Sequence, residues 1–176
     1  AIRSNEGDAF IAGGVENMTR GPWVISKAST PFGRDAEMHD TSFGWRFINK
    51  ELQRMYGTDS MGMTAENLAA KFNISKDDQD AFACNSQQKA TNARDSGRFE
   101  LEIAPIEVKK GKESIVFAHD EFIKPNTTLE ILAKLKPSFR KQEEGGTVTA
   151  GNASGLNDGA AAVLVASEEY MIQNKL

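Results

Sequence analysis

The chain contains few of the residues that form covalent or metal-dependent sites. Its 176 residues include one cysteine and two histidines, so it cannot form an internal disulfide or a cysteine-rich zinc site. The histidines, His39 and His119, lie far apart in the sequence, and neither belongs to an HExxH pattern. We therefore expect no metal ion and no resident cofactor.

Long hydrophobic runs and an excess of positive charge are also absent. No apolar stretch approaches the roughly 18 residues that a membrane-spanning helix requires. The formal net charge is -4, which disfavours binding to nucleic acid or to an anionic membrane unless a basic patch compensates. The charged fraction of 26% is typical of soluble proteins. These features predict a cytoplasmic protein with no nucleic-acid and no membrane partner.

Cys84 is the only candidate thiolate nucleophile. A reactive cysteine generally lies at a helix N-terminus or beside a cation, either of which lowers the pKa of a thiol. Cys84 lies in the middle of a predicted helix and has neither feature nearby in the sequence. We interpret it as an ordinary small residue, and we assign no catalytic residue in this chain.

Hydrophobic periodicity and capping residues predict a mixed α/β chain. Apolar strands are predicted at 8–15 and 158–166, and a shorter pair at 101–109 and 114–118, the first with Pro105 inside it. Helices are predicted at 45–56, at 61–72, from Ser75 to the stop at Gly97, at 129–135 after Thr127, and from Ser167 onward. The mixed charges, prolines and glycines of 22–40 predict an irregular excursion.

The two apolar strands near the ends enclose a longer, more polar and mostly helical region. This arrangement is typical of an insertion, in which a chain leaves a core sheet, builds a separate lobe and returns. The chain starts without methionine and finishes in a predicted helix that has no stop signal. We therefore expect both ends to be cuts through structure, with processed or disordered natural termini as the alternative.

The segment 146–160, called here the glycine-rich segment, contains mainly glycine, alanine, serine, threonine and asparagine. Small side chains allow a ligand or another backbone to approach the main chain closely. Two interpretations stay open. The segment is either a bulge or closely packed strand, or a channel wall for a slender ligand that lies against Ala150, Gly151, Ala153, Ser154 and Gly155.

Four motifs, in order along the chain, resemble signatures of the thiolases. GGVENMT at 13–19 resembles the GGxExM segment, MGMTAENLA at 61–69 the MGxTAEN segment, LKPSF at 135–139 the LxPxF stretch, and TVTAGNASGLNDGA at 147–160 the third signature. The residues TSFGWRF at 41–47, followed by DSM at 59–61, are similar to the 3-oxoadipyl-CoA thiolases. Together the motifs span almost the whole chain.

The resemblance implies an acyl-CoA C-acetyltransferase, in which 3-oxoacyl-CoA and CoA give acyl-CoA and acetyl-CoA through an acyl-cysteine. In the family the nucleophilic cysteine precedes GGxExM, and the NEAF asparagine, the GHP histidine and a second cysteine in a CxG loop follow the third signature. None of these motifs occurs in this chain. The resemblance therefore implies an inactive central segment of an enzyme that is a homotetramer or homodimer.

The same resemblance divides the chain into three parts of a partial thiolase fold, with two core strands flanking a mostly helical loop domain and a small β-hairpin. Residues 1–25 correspond to the end of the N-terminal core half, 26–145 to the loop domain that covers CoA, and 146–176 to the return strand and helix. CoA or acyl-CoA is the implied partner, as substrate. The implied CoA-binding residues are Leu52, Met61, Lys124, Ile131, Phe139, Ala150, Ala153, Ser154 and Gly155.

Three residues depart from the biosynthetic members of the family. Ser60 stands where those enzymes tend to have histidine, Lys124 where they have arginine, and Ile131 where they have serine. These differences are typical of another subgroup. Two alternatives to a thiolase segment remain: a stand-alone CoA- or acyl-binding module without catalysis, and a ketoacyl synthase or sterol-carrier-type homologue, which shares the core fold but lacks the TAGNASGLNDGA form.

Overall fold

A computed structural model describes all 176 residues, which form two compact units. Unit 1 comprises Ala1–Thr58 and Gly155–Leu176, and unit 2 comprises Asp59–Ser154. The elements in chain order are β1 Ala9–Glu16, β2 Trp23–Ile25, β3 Met38–Asp40, α1 Lys50–Tyr56, α2 Met61–Phe72, α3 Lys76–Asp95, β4 Ile106–Lys110, β5 Glu113–Phe117, α4 Leu129–Ala133, β6 Gly159–Ala166 and α5 Glu168–Asn174. None of these helices is both long and apolar enough to cross a membrane.

Unit 1 is organised around the strand pair β1 and β6. The two strands pair antiparallel along their full lengths, with Ala9 opposite Ala166 and Glu16 opposite Gly159. The prediction of two apolar strands near the ends of the chain is confirmed. Their apolar side chains stay accessible to solvent: Ile11 is 81% exposed and Val163 58% exposed. This strand pair therefore has no buried core within the chain.

The remainder of unit 1 differs from the sequence prediction in two places. The region 22–40 is not wholly irregular, because β2 and β3 form a short antiparallel ladder with Trp23 opposite Asp40. Strands of three residues are too short to show an alternating pattern. Helix α1 begins at Lys50 and not at 45, because Phe47 has a positive φ of 50° and the Asn49 side chain caps the helix.

The helices of unit 2 begin at capping residues. The Ser60 hydroxyl accepts the N–H of Met63 at 3.3 Å, and the Ser75 hydroxyl accepts that of Asp78 at 3.1 Å. Both predicted helix starts are confirmed, and Gly97 follows the end of α3 with φ 75°. The predicted cap of α4 was one residue early, since it is the Thr128 hydroxyl that accepts the Ile131 N–H.

The hairpin of β4 and β5 pairs Ile106 with Phe117 and Lys110 with Glu113. The predicted strand pair is confirmed, but the first strand is shorter than predicted and begins immediately after Pro105. Proline has no backbone N–H to donate to a ladder, so it lies outside the paired residues.

All of the buried side chains belong to unit 2. Four are apolar, Ala69, Cys84, Leu132 and Val148, and three are polar, Glu66, Asp80 and Thr149. They come from α2, α3, α4 and the glycine-rich segment. A core with this share of polar groups is stable only if each group has hydrogen-bond partners, and those partners determine the local geometry of the site.

Gly62 in α2 packs against the ring of Phe139, and a Cβ atom added at this glycine would overlap ring carbons. In an open helix Gly→Ala stabilises by about 1 kcal/mol through propensity, whereas overpacking costs roughly 1–3 kcal/mol. We therefore expect Gly62→Ala to lower the free energy of unfolding. In a Phe139→Ala background the same change should become stabilising. Urea unfolding of the double-mutant cycle measures both values, and equal effects in the two backgrounds would contradict this packing.

Candidate ligand-binding site

Glu66 holds the start of the glycine-rich segment. Its side chain comes from the MGMTAENLA motif on α2 and is 1% exposed. The Thr147 N–H donates to both carboxylate oxygens at 3.0 Å, the Val148 N–H donates to Oε1 at 2.9 Å, and the Thr147 hydroxyl donates to Oε2 at 3.0 Å. Burial of a carboxylate is costly unless hydrogen bonds replace its water. These donors therefore fix both the carboxylate and the entry of the segment.

The next residues form a tight turn held by its own side chains. Thr149 is fully buried, and its N–H donates to Asn152 Oδ1 at 2.7 Å. The Thr149 hydroxyl accepts the Gly151 N–H at 3.2 Å, and the Thr149 carbonyl accepts the Ala153 N–H at 3.1 Å. The backbone at 149–153 is thus positioned by local hydrogen bonds before any ligand is considered.

Close packing explains why residue 151 is a glycine. A Cβ atom at this position would lie 2.5 Å from Leu132 Cδ2 and 2.5 Å from Leu135 Cδ1, closer than carbon atoms can approach. Of the two interpretations left open by the sequence, close packing therefore accounts for the missing side chain of Gly151.

A cavity of about 380 Å³ lies within unit 2 beside this turn. One wall is a face of α3, a second is the loop after β5, and a third is the turn of the glycine-rich segment. The lining is mainly apolar with a few polar groups, which is typical of sites for organic ligands. The lining residues are Phe82, Ala83, Ser86, Gln87, Ala90, Asp120, Phe122, Ile123, Gly151, Asn152, Ala153 and Ser154.

Lys124 directly follows two of the lining residues. Its backbone N–H donates to Oε1 of Gln87 on α3 at 2.8 Å, which ties the loop to the helix. Its ammonium nitrogen lies 5.9 Å from the ring centroid of Phe122. The side chain is exposed, so a cation is available near the cavity for an anionic group such as a phosphate.

Only three of the nine predicted CoA-binding residues line this cavity or directly follow a lining residue in the chain. Ala153 and Ser154 line it, and Lys124 is adjacent to it in the chain. The other unit 2 members lie outside the lining: Met61 begins α2, Ile131 lies in α4, Phe139 packs on Gly62, and Ala150 precedes the lining turn. Leu52 and Gly155 belong to unit 1. The roles of all nine residues stay predictions.

Sequence reasoning missed the α3 wall and the polar residues behind the turn. Phe82, Ser86 and Ala90 are spaced four residues apart, which places them on one helical face; this signal was available. Asp80 and Glu66 gave no such signal, because buried and exposed carboxylates look alike in a polar sequence. Cys84 is 7% exposed, and its interpretation as an ordinary small residue without a catalytic role stays a prediction. No group of three or more histidine, cysteine or acidic residues is arranged to hold a metal ion.

Within unit 1, Asp158 links two of the motifs. Its Oδ1 accepts the backbone N–H of Thr19 at 2.9 Å, and its Oδ2 accepts the Thr19 hydroxyl at 2.8 Å. The backbone hydrogen bond first, and the hydroxyl second, lower the pKa of the Asp158 carboxyl from its ordinary value of 3.8. The GGVENMT motif is thereby attached to the end of the glycine-rich segment.

This attachment predicts a pH dependence. Because the folded pKa of Asp158 is depressed, its contribution to stability is complete above pH 3.8 and is lost as the pH falls through the folded pKa. We expect Thr19→Val, which removes one of the two donors, to raise the Asp158 pKa toward its ordinary value in a carboxyl NMR titration. Thr30→Val, elsewhere in unit 1, is the matched control. An unchanged Asp158 pKa in Thr19→Val would contradict the assignment.

The motif order and the mixed strand and helix elements define an α/β protein of the thiolase type. The family model of the thiolase N-terminal domain matches residues 1–169, and the chain belongs to this family. It is 52% identical over 171 residues to a 3-oxoadipyl-CoA/3-oxo-5,6-dehydrosuberyl-CoA thiolase of Escherichia coli K12, with 96% of this chain and 42% of the relative covered. It is 50% identical over 177 residues to a beta-ketoadipyl-CoA thiolase of Acinetobacter baylyi, with 100% and 43% covered.

The solved structures agree with this placement. Human mitochondrial 3-ketoacyl-CoA thiolase in complex with CoA superposes with a TM-score of 0.79 at 40% identity, covering 99% of this chain and 41% of that one. The chain thus spans about 42% of the length of the relatives that it matches.

Proposed function

We propose that the chain is the CoA-handling segment of an acyl-CoA C-acetyltransferase that cleaves 3-oxoacyl-CoA with CoA. The observation that carries the proposal is the turn at 151–154, which forms one wall of an organic-ligand-sized cavity with Lys124 beside it. The sequence motifs and the names of the relatives support a 3-oxoadipyl-CoA-like substrate. In this assignment CoA is a substrate and not a resident cofactor.

The chain's own residues are suited to binding and not to bond cleavage. Ala153 and Ser154 leave room for a slender pantetheine arm against the backbone, and the Ser154 hydroxyl can hydrogen-bond to its amides. The Lys124 ammonium can meet a phosphate of the nucleotide. Cys84 is buried in unit 2, so it receives no nucleophilic role. We accordingly assign binding to this segment, and propose that acyl transfer requires groups that it does not contain.

The binding role predicts an effect of charge at Lys124. We expect CoA to bind the chain with a dissociation constant of about 1 mM, and Lys124→Glu to weaken binding by roughly threefold to tenfold because a phosphate then faces a carboxylate. Lys112→Glu, an equal charge change at the exposed turn between β4 and β5, should leave binding unchanged. Isothermal titration of CoA into each variant, at two salt concentrations, measures both effects on binding. No heat and no thermal shift at millimolar CoA would overturn the proposal.

The expected lack of thiolase activity is tested in a separate assay. We expect no thiolysis of acetoacetyl-CoA above a no-protein control when the purified chain is assayed with CoA. Turnover clearly above that control would mean that the chain contains a nucleophile, and would overturn the assignment of binding alone.

A stand-alone CoA- or acyl-binding module is the second candidate. It is favoured by one observation: every residue that lines the cavity belongs to unit 2, which also has its own buried core. Such a module should bind CoA or acyl-CoA tightly by itself. A dissociation constant of about 1 μM or lower, without turnover, would favour this candidate over the enzyme segment.

A further inference from the structure

Asp80 lies behind the wall of the cavity and does not line it. It is on α3, is 3% exposed, and precedes by two residues the first α3 residue of the lining, Phe82. Both of its carboxylate oxygens are occupied. Oδ2 accepts a hydrogen bond from the Lys76 ammonium one turn earlier on the same helix, and Oδ1 accepts one from Asn152 Nδ2 at 2.9 Å.

Asn152 connects the Asp80 carboxylate to the turn at 151–154, which forms another wall of the cavity. Its Nδ2 also donates to the Thr147 carbonyl at 3.2 Å, and its Oδ1 accepts the Thr149 N–H at 2.7 Å. The amide group is therefore held at both ends. Because Asn152 itself lines the cavity together with Ala153 and Ser154, its orientation determines where the turn lies relative to α3.

Lys76 extends the connection to a third element. Its ammonium donates to the Leu132 carbonyl at 3.0 Å, near the end of α4, while it pairs with Asp80. The Leu132 side chain packs at the site of Gly151. One largely buried carboxylate thus joins α3, α4 and the turn. Networks of this kind are rigid when every member is satisfied.

We propose that Asp80 is a positioning residue, which acts through Asn152 to set the geometry of the cavity wall at 151–154 and thereby its affinity for the ligand. The ligand part of this inference rests on the proposed CoA-binding function; the positioning part does not. A binding wall that is held in place before the ligand arrives loses less entropy on binding, so loosening it lowers affinity without removing any contact to the ligand.

The test compares three variants of the full chain. Asp80→Ala removes the acceptor for both Asn152 and Lys76. Asp80→Asn is the partial-rescue variant, since its amide oxygen can still accept the Asn152 hydrogen bond while its NH₂ group faces the Lys76 ammonium. Asp77→Ala removes an equal charge from an exposed position in the first turn of the same helix, and serves as the matched control.

The first readout needs no ligand. Amide hydrogen exchange at Asn152 and Ala153, whose N–H groups donate to the Thr149 carbonyl, is compared with exchange in the hairpin of β4 and β5. In Asp80→Ala we expect exchange at the turn to accelerate roughly twofold to tenfold, as for the loss of one hydrogen bond, with the hairpin unchanged. Asp77→Ala should resemble the unsubstituted chain, and Asp80→Asn should accelerate exchange at the turn less than Asp80→Ala does. Unchanged exchange at the turn, or equal acceleration in the hairpin, would overturn the proposal.

The second readout is CoA titration. We expect Asp80→Ala to raise the dissociation constant by roughly twofold to thirtyfold at a temperature where the variant stays folded by circular dichroism, with partial recovery in Asp80→Asn. If the unsubstituted chain binds no CoA, the proposed function fails, and the exchange comparison still decides the positioning role. Equal CoA affinity in Asp80→Ala and the unsubstituted chain would overturn the link between wall geometry and affinity.

Discussion

Glu66→Gln is expected to lower the free energy of unfolding by roughly 2–4 kcal/mol, because hydrogen bonds to charged groups contribute about 1.5–3 kcal/mol each. A glutamine retains the shape and one acceptor oxygen but places an NH₂ group where Oε2 accepts from the Thr147 N–H and hydroxyl. At least one donor at the start of the glycine-rich segment then faces another donor. The side chain is 1% exposed, so water cannot replace the lost acceptor.

Urea unfolding followed by circular dichroism measures this effect. Glu100→Gln, the same change at an exposed position, is the matched control and should alter stability by less than about 0.5 kcal/mol. A similar small change for both variants would show that the Glu66 carboxylate does not hold the segment.

Leu132→Ala is expected to cost about 2–5 kcal/mol, the range for truncation of a fully buried leucine. Leu132 is 3% exposed, and its Cδ2 occupies the space that a side chain at Gly151 would take. The cavity left by the truncation lies directly under the turn at 151–154. We therefore expect weaker CoA binding as well as lower stability.

Leu129→Ala on the same helix provides the control, since Leu129 is 49% exposed and its truncation leaves no closed cavity. The two variants differ in burial but not in chemistry. Chemical denaturation gives the comparison, and a Leu129→Ala effect as large as that of Leu132→Ala would contradict the assignment of the core to this face of α4.

Local signals predicted most of the elements in this chain. Ser60, Ser75 and Ser167 mark helix starts because a hydroxyl that accepts an early N–H is a local interaction, visible within four residues of sequence. The apolar strands β1 and β6 were predictable for a similar reason. The ladder of β2 and β3 was not, because pairing between 23–25 and 38–40 depends on contacts across a long loop.

The candidate site divides in the same way. The glycine-rich segment was found from its composition and its resemblance to the third thiolase signature, and four of its residues, Gly151, Asn152, Ala153 and Ser154, line the cavity. Asp80 and Glu66 were not found, although each determines the position of that segment. In sequence they are two carboxylates among many, and their partners in the glycine-rich segment lie more than 70 residues away.

The sequence by itself determined the family, the starts of most helices and the small side chains of the glycine-rich segment, since each depends on residues close together in the chain. Only the tertiary structure decided which carboxylates are buried, which side of α3 forms the cavity wall, and why Gly151 has no side chain. Those features depend on desolvation and packing between distant segments, where a charge is tolerated only if donors from elsewhere in the fold reach it.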